Sequence, residues 1–88
     1  MKYALITGDD GEPFRLWIES KDGLKLHGPI ENAEDKADFM HEEELMKGFK
    51  ITTVEDAVAS GYSYYNVEIG EYSGDAKVKI DKIISEFE

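Results

Sequence analysis

"AKVKIDKIISEFE", residues 76–88, decides what kind of sheet this chain can build. Its first five residues alternate apolar side chains with lysine, the period of a strand. Ile80, Ile83, Ile84 and Phe87 fall at i, i+3, i+4 and i+7, the period of a helix. The alternation predicts a strand through about residue 81 and a short helical or irregular end. Its expected partner is "YYNVEIGEY" (64–72), where Tyr65, Val67 and Ile69 share one face and "SGD" (73–75) makes the turn.

The first third reads as three strands. "KYALIT" (2–7) carries apolar residues on both sides of its alternation, as a strand covered on both faces does. "GDDGEP" (8–13) is a turn. In "FRLWIES" (14–20), Phe14, Leu16 and Ile18 lie on one face and Arg15, Trp17 and Glu19 on the other. "KDG" (21–23) signals a hairpin into "LKLHG" (24–28), with Leu24 and Leu26 inward.

Helices follow. Asn32 is the expected N-cap of the first, with Ala33, Ala37 and Met40 as its buried face, a break near residues 41–43 and an end at Gly48. Thr52 and Glu55 fit a capping box for a second helix, with Gly61 at its C-terminal stop. The expected fold is α+β: one small domain with a largely antiparallel sheet, ordered β-β-β-α-α-β-β, and helices on one face.

Composition narrows the function. In 88 residues there are 20 acids against 10 bases, a formal net charge of −10. That excess repels nucleic acid and anionic membrane and favours basic partners. With no cysteine, disulfides and thiolate chemistry are excluded. "MKYALITGDD" has too short an apolar run for a signal peptide, and no run reaches the ~18 residues of a membrane span. A cytoplasmic protein is the expectation.

Catalytic patterns are sparse. No serine lies in a strand–turn–helix elbow. His41 in "MHEEE" lacks a second ligand one turn away, and "DDGE" lacks the alternating oxygen ligands of a calcium loop. No glycine-rich phosphate cradle precedes a lysine. Neither an enzyme, a cofactor nor a metal is expected.

The strongest pattern is acidic. In "ENAEDKADFMHE" (31–42), Glu31, Glu34, Asp35, Asp38 and Glu42 fall at i, i+3, i+4, i+7 and i+11, one stripe of a helix. Like charges at i,i+4 repel by roughly 0.3–0.5 kcal/mol per pair, and only Lys36 stands nearby, off the stripe. Such a row imitates phosphates and competes for lysines and arginines. The expected activity is that of a non-enzymatic inhibitor or modulator. Its stripe, with Glu43 and Glu44 at the rim, would engage a basic protein surface such as that of a nucleic-acid-binding enzyme. A homodimer through a sheet edge is compatible with this. The alternative is a ligand- or metal-responsive domain, or an accessory subunit, using an aromatic surface of Trp17, Tyr64 and Tyr72.

In size and charge the chain is similar to the small, acidic, cysteine-free α+β proteins by which phages block DNA-binding enzymes. Its opening "MKYALI", the turn "DDGEPF" and a helix after the third strand resemble antitoxins of the HicB type. "LWIES" stands where that pattern has a Pro-Asp-Leu-Pro-Gly-like stretch.

Overall fold

A computed structural model describes residues 1–87; Glu88, where the expected irregular end closes, lies outside the described residues. The first three strands, β1 (Lys2–Thr7), β2 (Pro13–Ser20) and β3 (Gly23–His27), form an antiparallel meander. Helices α1 (Ala33–Gly48) and α2 (Val54–Gly61) follow, then β4 (Asn66–Glu71) and a last helix, α3 (Gly74–Phe87). The sheet order is β3-β2-β1-β4, so β4 pairs antiparallel with β1. The α+β class and the antiparallel sheet are as expected from the sequence.

The last element is not. Residues 76–81 belong to α3, not to a strand paired with 64–72, and the order is β-β-β-α-α-β-α. The helical period prevails because Ala76, Ile80, Ile83, Ile84 and Phe87 together form one stripe against Tyr3, Leu5 and Leu16. Val78, which the strand reading places beside Ile80, is 71% exposed. Lysines support the helix from outside: Lys77 Nζ lies 2.7 Å from Asp81 one turn on, and Lys79 Nζ 2.7 Å from Glu68 of β4.

Helices therefore cover both faces rather than one. Tyr3 and Leu5 point to α3, while Ala4 and Ile6 point to α1 and α2. The second core holds Trp17, Leu26, Met46, Val54, Ala57 and Tyr62. Trp17 is thus interior, on the face the sequence reading left outermost. Phe14 joins the same side because β2 carries a bulge. Ile6 opposes Arg15 and Thr7 opposes Pro13, which leaves Phe14 without a partner across the ladder.

The caps are local and specific. Asn32 Oδ1 accepts the Asp35 amide at 2.8 Å, as the sequence suggests. α2 is capped one residue later than expected: Thr53 Oγ1 accepts the Asp56 amide at 3.2 Å, and Glu19 of β2 accepts that of Val54 at 2.9 Å. α1 runs unbroken through residues 41–43 to Gly48. It ends in a Schellman arrangement, Ile51 N–H to Met46 O at 3.0 Å and Lys50 N–H to Lys47 O at 3.1 Å. The left-handed residue there is Lys50, at φ +56°, where glycine is the usual occupant.

Two outcomes follow from this geometry. In urea titrations Val78→Asp shifts stability by less than about 0.5 kcal/mol, whereas Ile80→Asp costs more than about 3 kcal/mol or unfolds the chain. Equal losses would restore the strand, in which both side chains share a face. Lys50→Gly is expected to raise stability by about 0.5–1 kcal/mol, since it relieves the left-handed backbone.

Candidate functional site

The site is built around a buried arginine. Arg15 enters the α1 side of the sheet next to the bulge, its side chain only 8% exposed. An ionised group there must be paired and hydrogen-bonded. Its Nε donates to Glu42 Oε2 at 2.8 Å, Nη2 lies 2.8 Å from the same oxygen, and Nη1 donates to the Phe14 carbonyl at 2.8 Å. The guanidinium lies 5.5 Å from the Phe14 ring centroid and 5.7 Å from that of Phe39. The second oxygen of Glu42, Oε1, accepts the Tyr62 hydroxyl. Gly28 makes room for this arrangement: a Cβ there would lie 2.9 Å from the Phe14 carbonyl oxygen and 3.0 Å from Arg15 Nη1.

This pairing sets how α1 is turned. Its inward residues are Asp35, Phe39, Glu42, Leu45 and Met46, and only Met46 is fully buried. Ala33, Ala37 and Met40, the expected buried face, are exposed, Met40 by 48%. Phe39 comes to lie inside, against the guanidinium.

The acidic stripe is therefore divided. Glu42 belongs to the interior network. Glu31 precedes the cap and is outside the helix. Glu34 and Asp38 flank the packed face and Asp35 is half-buried, while Glu43 and Glu44 are exposed, Glu44 on the side away from the sheet. Among the described residues, no ion pair reaches Glu31, Glu34, Asp35, Asp38, Glu43 or Glu44. The ion pairs lie elsewhere: Lys2–Glu55, Lys77–Asp81, Lys79–Glu68, Arg15–Glu42 and the N-terminus with Glu71.

Nor do the three aromatics proposed from sequence form a surface. Trp17 is core, Tyr72 is half-buried against α3 with its hydroxyl donated to Asp81, and Tyr64 is 99% exposed. The aromatic cluster that does form joins Phe14, Tyr62 and Tyr65, with Phe14 and Tyr65 centroids 4.9 Å apart. It walls a recess of about 400 Å³ shared with Arg15, Asp38, His41 and Glu42. The bulge that sends Phe14 there leaves no signal in a strictly alternating reading of 14–20.

Three tyrosine hydroxyls titrate late. Burial, then the bond to Glu42, pushes Tyr62 well above the usual phenol range near 10. Trp17 Nε1 is buried and short of hydrogen-bonding geometry with any acceptor; lying near the Tyr62 oxygen, it opposes that shift slightly. The bond to Glu68, then burial, raises Tyr3 to about 12, and the bond to Asp81 raises Tyr72. A phenol held so firmly in its neutral form is a poor general acid or base at neutral pH. Among the described residues no group of three or more histidine, aspartate or glutamate side chains is placed to hold a metal ion. No helix among them is long and apolar enough to cross a membrane.

No family model matches the chain, and neither a curated protein nor a solved structure is significantly similar to it.

The raised phenols carry a pH dependence whose sign is fixed. Below pH ~10 both folded and unfolded chains hold these protons, and the stabilisation is fully present. Above it the unfolded chain ionises first, so stability falls as pH rises toward 12. In Tyr62→Phe, stability at pH 7 drops by about 1–2 kcal/mol through loss of the bond to a carboxylate. Its decline between pH 10 and 12 should be shallower than that of the parent, as read by urea midpoints at each pH. An equal slope would remove Tyr62 from the network.

Proposed function

We propose that this is a non-enzymatic binding protein, an inhibitor or modulator whose α1 acids engage a basic surface of a nucleic-acid-processing protein. One observation carries the reading. Lys2, Lys77, Lys79 and the only arginine pair with Glu55, Asp81, Glu68 and the interior Glu42, and among the described residues no ion pair reaches the exposed acids of α1. The exposed acids of α1 lay their share of the net −10 charge along a helix about 24 Å long. Such a row steers a cationic surface toward itself and competes with phosphates for the same side chains. Lys36 and Lys47 remain on α1 but pair with none of these acids.

The test compares two variants of equal net charge. One reverses Glu34, Asp38 and Glu44 to lysine; the other reverses Asp22, Glu71 and Asp75, which are exposed and off α1. Tagged protein is used to capture partners from a lysate of its source cells, with washes at ~0.1 M and ~0.5 M salt, between which the screening length more than halves. The expected result is a basic nucleic-acid-binding protein held at low salt, released at high salt, kept by the second variant and lost by the first. Capture undiminished in the α1 variant would contradict the reading.

A further inference from the structure

A second concavity shares Phe14 and Tyr65 with the Arg15 recess. It is a groove of about 850 Å³ where the β1–β2 turn, the β3–α1 link and the end of α3 converge. This is within the ~300–1,000 Å³ of small-molecule ligand sites. Its apolar surface comes from Phe14, Tyr65, Ile83 and Phe87 together with Pro13 and Pro29. Its charged lining comes from Asp9, Asp10, Glu12, Glu31 and Glu86, and among the described residues no lysine, arginine or histidine lines it.

We propose that this groove is the docking site for an extended basic segment of a partner protein, anchored by one aromatic or long aliphatic side chain. It rests on the reading of the protein as a binder of basic surfaces, and gives that partner a second feature to be recognised by. Charge complementarity selects the occupant. Five carboxylates around an apolar floor repel nucleic acid, anionic lipid and a second copy of this acidic chain. They attract lysine and arginine side chains flanking a hydrophobic anchor. The walls are held in place. Gly8 N–H donates to Glu12 O at 3.0 Å, Gly11 N–H to Gly8 O at 3.0 Å, and Asp10 Oδ1 accepts the Glu12 amide at 3.0 Å, so the turn is closed on itself. Gly11, at φ +81°, supplies the left-handed residue it needs. On the opposite wall Ile83 and Phe87 are fixed by the α3 core. Little ordering is left to be paid for on binding. Glu31, the member of the acidic row that lies outside α1, belongs to this groove.

The probe is a fluorescein-labelled nonapeptide with four lysines spaced by glycine and one central phenylalanine. Its binding is followed by polarisation, and its place by amide shifts in the labelled protein. Saturable binding is expected, with shifts concentrated at residues 8–14 and 83–87. Changing the peptide's phenylalanine to alanine should weaken binding roughly tenfold or more. The protein variant Asp9→Lys/Glu86→Lys should weaken it to a similar degree, and its far-UV circular dichroism should match the parent. The Glu34, Asp38 and Glu44 reversal should bind the peptide as the parent does. No saturable binding, indifference to the phenylalanine, or protection of these amides by self-association would each overturn the groove. So would shifts confined to α1, which would leave the α1 reading intact. Loss of lysate capture in the α1 variant, with peptide binding unchanged, separates the two sites.

Discussion

An arginine inside a small core is the constraint on which the rest of this structure depends. Arg15 stands on the face of β2 that also carries Trp17, so it is driven indoors by its neighbours. A buried guanidinium without a carboxylate is costly; breaking such a pair destabilises by about 3–5 kcal/mol, a large part of the ~5–15 kcal/mol that holds a domain together. Glu42 answers it from α1, Tyr62 takes the remaining oxygen from the end of α2, and Gly28 keeps the path open. That interaction turns α1 about its axis. It draws Phe39 inward and sends Ala33, Ala37 and Met40 out to solvent.

The rotation explains why helix α1 was legible in outline and misread in facing. Its N-cap at Asn32 and its end at Gly48 are plain in the sequence, because capping is a matter of one side chain and one amide. Its buried face is not, because apolar periodicity assigns alanine and methionine inward. A single long-range ion pair overrides them. The break expected near residues 41–43 has the same origin: Leu45 and Met46 conflict with the acids only if Glu42 faces water. Once Glu42 is inside, one straight helix satisfies all three.

The sheet shows the complementary case. "KYALIT" has apolar residues on both sides, and the structure covers both. A strand over 76–81 leaves one of those faces bare, so the demand for cover was readable at β1 while the element supplying it was hidden at the other end of the chain. Local alternation of Ala76, Val78 and Ile80 outweighed a stripe that extends over three turns. The longer period was the better guide, since a two-sided strand already required a second layer.

Acids displayed along α1 and around the groove share one physical origin. Lys2, Lys77 and Lys79 are committed to Glu55, Asp81 and Glu68, and the one arginine is interior. The helical spacing of the carboxylates over 31–42 was legible in the sequence. The groove was not, because its walls come from four separated segments that only the fold brings together. The central claim, that the Arg15–Glu42 pair holds α1 in this orientation, is tested most directly by a double-mutant cycle of Arg15→Met and Glu42→Met in urea unfolding. The pair predicts that each single variant loses about 3 kcal/mol or more and that the double variant recovers a large share of it. Losses that simply add would contradict it.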